Sequence, residues 1–126
     1  MNKSNAYMFC LKFYTGSFAL DYKPQIAEEI EQWITKYDGP VIIDCWGVKT
    51  IFAVYMNNLL ADLINRLGIE RAGNMVSFEN LNELNQRVWE LSRKHVWNYY
   101  TDSVYKECVD KMAEDSIHLE QSFNDY

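Results

Sequence analysis

The segment Val41-Ile42-Ile43-Asp44-Cys45-Trp46, set between Asp38-Gly39-Pro40 and Gly47, constrains the fold more than any other stretch of the chain. It is β-branched and too apolar for an exposed edge, so it reads as a central strand. The Asp-Gly-Pro turn opens it and Gly47 ends it. A helical stripe lies on each side. From Pro24 to Tyr37 the apolar residues are Ile26, Ala27, Ile30, Trp33, Ile34 and Tyr37, with Glu28, Glu29, Glu31 and Gln32 filling the opposite face. That spacing is helical, and Pro24 is suited to a first turn. Beyond the strand come Met56, Leu59, Leu60, Leu63, Ile64 and Leu67, stopped by Gly68. Strands that alternate with helices make the class α/β or α+β, with a right-handed crossover as the default connection.

The remaining segments fit that frame. Tyr7 to Tyr14 suits a strand, with Tyr7, Phe9, Leu11 and Phe13 on one side and Met8, Cys10 and Tyr14 on the other. Ser17 to Leu20 forms a short second strand or an extended link, and Asn74 to Phe78 another strand. Asn80 with Glu83 resembles a capping box for a helix that buries Leu81, Leu84, Val88, Leu91 and Val96. Asp102 or Ser103 can cap a further helix with Val104, Tyr105, Cys108, Val109 and Met112 on its apolar face. From Ser116 to Tyr126 the periodicity is lost and the chain is expected to fray. The expectation is a mixed sheet of four or five strands with Val41–Cys45 central, helices mainly on one face, and an extra C-terminal helix.

Charge and motif content exclude several classes. Twelve basic and 18 acidic residues give a net charge of −6, which argues against a nucleic-acid or anionic-lipid partner. The three cysteines, Cys10, Cys45 and Cys108, are odd in number and include no CxxC pair, and His95 and His118 lie near none of them. Free thiols in a reducing compartment follow, with no metal site. The N-terminus lacks the apolar core of a signal peptide, and no run reaches the ~18 apolar residues of a membrane helix, so the location expected is cytoplasmic. No Gly-x-Ser-x-Gly elbow and no glycine-rich phosphate loop is present, so no cofactor is expected. Asp44 has no second acid, His or Lys near it in sequence and is read as capping the 47–52 turn. Cys45 reads as packing, and His95, in Arg93-Lys94-His95, as part of a solvated helix end. No catalytic residue is assigned.

The stretch Gly39-Pro40-Val41-Ile42-Ile43-Asp44-Cys45-Trp46-Gly47-Val48-Lys49-Thr50-Ile51 resembles the central strand and following turn of STAS domains, the family of bacterial anti-sigma-factor antagonists. The Glu-rich helix before it, entered through Gly-Ser-Phe-Ala-Leu, resembles the STAS-like subfamily. The resemblance implies a single domain over 1–126, with a STAS-like core at 7–95, a C-terminal helical extension at 96–115 and the tail at 116–126. Family members carry a phosphorylatable serine after the Gly-Val pair. Here Phe52-Ala53-Val54-Tyr55 stands there, so that switch does not transfer, although Thr50 and Tyr55 are nearby hydroxyls. What the resemblance still implies is a non-enzymatic module in bacterial regulation. It would dock a protein, kinase-like or sigma-related, through Lys49, Phe52, Val54, Tyr55 and Asn58. Phe52 and Tyr55, three apart, are expected to project to one side of the first helical turn. Trp89, Trp97, Tyr99 and Tyr100 suit either an interface or internal packing. The alternative function is a small acidic inhibitor that uses Glu28, Glu29 and Glu31 to block a nucleic-acid-processing or defence enzyme.

Overall fold

The computed structural model describes the backbone of residues 6–124 and the side chains of residues 6–116. Three short parallel strands form its centre: β1 (Tyr7–Cys10), β3 (Val41–Asp44) and β5 (Val76–Glu79), in the order β1-β3-β5. A second parallel pair, β2 (Phe18–Ala19) with β4 (Thr50–Ile51), lies further along the same chain segments. Six helices join and follow them: α1 (Leu11–Thr15), α2 (Gln25–Tyr37), α3 (Ala53–Leu67), α4 (Ile69–Met75), α5 (Glu83–Thr101) and α6 (Ser103–Asn124). The class is α/β, and Val41–Asp44 is central, with a parallel neighbour on each side.

The register aligns Tyr7, Val41 and Val76 in one row and Phe9, Ile43 and Phe78 in another. All six share one face of the sheet, because strand side chains alternate. This is the face the helices cover. Trp33 of α2 lies against Tyr7, ring centroids 4.0 Å apart, and Trp89 of α5 against Phe78, 6.2 Å apart. Val41, Ile43, Ile30, Ile34, Met56 and Leu59 are wholly excluded from water and form the middle of the core. The opposite row is open: Met8 is exposed and Ile42 half-buried, and Ser77 beside them is exposed.

Several expectations are corrected. The sheet is not one mixed sheet of four or five strands but two parallel ones, of three and two strands, with no antiparallel pair among the described residues. The first strand stops at Cys10 instead of reaching Tyr14. Leu11 turns into the core, the Gly16 N–H bonds the Lys12 carbonyl at 2.8 Å, and the Tyr14 hydroxyl reaches Glu29 on α2. Gly16, at φ 69°, ends that turn. Asn74 and Met75 belong to a helix, and the strand begins at Val76. The cap of α5 is Asn82, not Asn80: its side chain accepts from the Asn85 N–H at 2.8 Å. Asp102 does cap α6, accepting from the N–H groups of Val104 and Tyr105. The backbone of α6 continues to Asn124, past the limit expected near residue 115, while the side chains of 117–126 lie outside the described residues. Among the described residues no helix is long and apolar enough to cross a membrane.

Candidate functional site

β1 and β3 stop at the same level, Cys10 opposite Asp44, and their chains resume parallel pairing at Phe18 opposite Thr50. Residues 11–17 bridge the gap as a helical turn and residues 45–49 as a tight turn. Between them opens a cleft of about 620 Å³ at the carboxyl ends of the strands. In parallel sheets this is the end at which ligands are usually received. Lys12, Ser17, Trp46, Gly47, Lys49, Asn80 and Asn82 line it.

The 45–49 turn is held by side chains from both flanks. Asp44 Oδ1 accepts from the Trp46 N–H at 3.0 Å and from Asn80 Nδ2 at 2.9 Å, so its carboxylate caps the start of the 45–49 turn, and not residues 47–52 as its position suggested. Asn82 Nδ2 donates to the Lys49 carbonyl at 2.9 Å. Asn85 is fully buried; its Nδ2 donates to the Val48 carbonyl at 3.0 Å and its Oδ1 accepts from the Ile51 N–H at 2.8 Å. Asn80 itself sits at φ 59°, a left-handed conformation that asparagine tolerates. Gly47 takes φ 80°, a left-handed conformation that favours glycine, and a Cβ there would press on the end of the exposed Lys12 side chain at 3.0 Å.

The residues expected to dock a partner are divided by the structure. Lys49, Phe52, Val54 and Asn58 are exposed at the turn and at the start of α3. Tyr55 is not: it is 2% exposed, stacked edge-on to Tyr22 at 5.4 Å, and burial pushes its hydroxyl pKa up to about 12. Phe52 precedes the helix in extended backbone while Tyr55 lies inside its first turn, so the two do not share a side. Phe52 has other company. Its N–H bonds the Ala19 carbonyl at 2.9 Å, which continues the β2–β4 pairing by one residue. Ala19 and Ile51 point inward, and strand alternation puts Phe18 and Leu20 outward beside Phe52. Phe18, Leu20 and Phe52, 58%, 49% and 40% exposed, make an apolar ridge on that face, and Val54, 52% exposed, follows two residues on in the first turn of α3.

Other candidates have partners within the fold. The Cys45 thiol, pushed up to about 12 first by burial and then by Asp44, stays protonated at neutral pH. His95 Nδ1 lies 2.6 Å from the Tyr105 hydroxyl, which ties α5 to α6. Trp89 and Trp97 are half-buried with Arg93 across both rings, while the Tyr99 and Tyr100 hydroxyls bond Asp110 and Asn65. Among the described residues no group of three or more His, Cys, Asp or Glu is placed to hold a metal. His118 lies outside the residues whose side chains are described.

Sequence reasoning missed Lys12, Trp46, Asn82 and Asn85. For Asn85 a signal existed. Leu81, Asn85, Val88, Ser92 and Val96 keep helical spacing, and the structure buries Asn85 and Ser92 on that stripe. Leu84 and Leu91, expected inside, are 54% and 70% exposed. Compared with protein-family models, curated proteins and solved structures, the chain matches none of them.

Proposed function

We propose that this protein is a non-enzymatic, STAS-like module that docks a protein partner on the ridge of Phe18, Leu20, Phe52 and Val54, with Lys49 and Asn58 at its border. The observation that carries this reading is the ridge itself: Phe18, Leu20 and Phe52 brought to one face from two chain segments, with Val54 next along the chain, each at least 40% exposed. Contiguous apolar surface of this kind marks interaction sites, and aromatic side chains there supply large contact area at low entropic cost. Beneath it, Tyr55, Ile51 and Ala19 give a buried, rigid floor, which limits the ordering cost of binding. Tyr55 therefore leaves the docking set and becomes its support.

The acidic-inhibitor reading draws less support from the same surface. Glu29 accepts from Tyr14, and Glu31 pairs with Arg66, so two of its three carboxylates are engaged within the fold. The test places a photo-crosslinking residue at Val54 in the source cell, identifies the captured protein, and measures its affinity for purified wild type, Phe52→Ser and Phe18→Ser. The expected outcome is a loss of about 2 kcal/mol or more for each variant with melting unchanged. Equal affinity for all three forms overturns the reading.

A further inference from the structure

We propose that the cleft at the carboxyl ends of β1 and β3 binds a phosphate monoester bearing a flat ring, with Lys12 and Lys49 on the phosphate and the ring laid on Trp46. This goes beyond the docking reading and does not depend on it: the two share only Lys49, at the border of the ridge, and none of the four ridge side chains is used. The chain carries a net charge of −6, yet the cleft lining contains two lysines and no carboxylate. The described residues form ion pairs at Arg66, Arg71 and Lys106, and among those residues neither Lys12 nor Lys49 has a carboxylate within reach. Two lysines in a lining that holds no carboxylate favour an anion at this opening in an otherwise acidic molecule.

Lys12 also rests against the turn. Its stem lies across Gly47, where a Cβ would stand 3.0 Å from Cδ and 3.2 Å from Nζ, and Nζ sits 5.6 Å from the centre of the Trp46 ring. A Cβ at 47 would crowd the stem in this position. Of the backbone amides of 45–49, those of Cys45, Trp46, Val48 and Lys49 have acceptors, and among the described residues Gly47 N–H has none. A turn amide with no acceptor beside two ammonium groups is a further donor for an anion. No carboxylate belongs to the lining: Asp44 turns its Oδ1 to the Trp46 N–H and Asn80, and keeps its charge at the base of the turn, while Glu79 and Glu83 also lie outside the lining.

Inorganic phosphate alone would leave most of the roughly 620 Å³ empty. Trp46 is 67% exposed at the rim, and a planar ring would stack on the indole face that the Lys12 ammonium does not take, as bases do on aromatic side chains. Cleft size falls within the usual range for small-molecule sites.

The test is calorimetric titration of the full chain with AMP, UMP and FMN, and with adenosine, ribose 5-phosphate and inorganic phosphate as comparisons. At least one of the three ring-bearing phosphates should saturate, binding about tenfold or more tighter than the comparison compounds. Lys12→Gln, Lys49→Gln and Trp46→Ala should each weaken that ligand by about tenfold, the size expected for loss of one charge-assisted or stacking contact. All three side chains are exposed, so circular dichroism melting should match wild type; Lys49→Gln, which is not packed on Gly47, stands as the second variant if Lys12→Gln melts early. No saturable binding by AMP, UMP or FMN overturns the proposal. So does binding that the Lys12→Gln/Lys49→Gln double variant retains, or inorganic phosphate binding as tightly as the ring-bearing esters.

Discussion

Asn85 connects three elements through one amide. From the first turn of α5 it satisfies the Val48 carbonyl before β4 and the Ile51 N–H within it, and it does so with no exposure to water. Replacing it with alanine strands two buried backbone groups, each costing about 1–3 kcal/mol. Asn85→Ala should therefore lower stability by about 3 kcal/mol or more, read from urea denaturation. Asn85→Asp should keep the Ile51 bond but set a second oxygen against the Val48 carbonyl, and so fall between alanine and wild type only at acid pH, where the carboxyl can donate. The residue was legible in part. A polar side chain on an apolar helical stripe is a visible anomaly, but its partners lie more than thirty positions away and no local pattern names them.

At the level of elements, the helices with strong stripes and the central strand were legible because one period dominates each. Ile26, Ile30 and Ile34 are buried, as are Leu59, Leu60, Leu63 and Ile64. The interruption after Cys10 was not legible. Tyr7 to Tyr14 alternates well enough for a strand, and only the tertiary reach of Leu11, Lys12 and Tyr14 turns it helical. The same limit affected Tyr55. Spacing from Phe52 assumed that both residues were helical, whereas Phe52 belongs to the extended chain beside Ala19. The division between them is measurable: Tyr55→Ala should cost about 3–5 kcal/mol as a large core truncation, whereas Phe52→Ala should change the melting temperature little. Thermal denaturation of the two variants side by side checks this, and equal losses would remove Phe52 from the surface.

For the whole molecule, buried hydroxyl and thiol groups set the response to base. Burial raises Cys45 and Tyr55 to about 12, and Tyr14 and Tyr22 are raised as well, first by burial and then by bonding to Glu29 and Asp62. These groups are neutral when protonated, and the folded chain holds their protons at pH values where the unfolded chain has released them. Their stabilising contribution is thus complete below the ordinary thiol and phenol range and is lost as pH rises from about 9 toward 12. Urea midpoints should fall steeply over that window, and Tyr55→Phe should flatten the slope.

The all-parallel order β1-β3-β5 also fixes a sequence of events in time. No strand can pair with its chain neighbour through a hairpin, so every ladder waits for a helix to form and cross over. β3 alone touches both other strands, with α2 before it and α3 after it. The transition state for folding should centre there, with high φ-values at Ile34, Ile43 and Leu59 and low ones at Phe9 and Phe78. During synthesis the chain leaves the ribosome with β1 first, and that strand remains without a partner until the whole of α2 and β3 has followed it out.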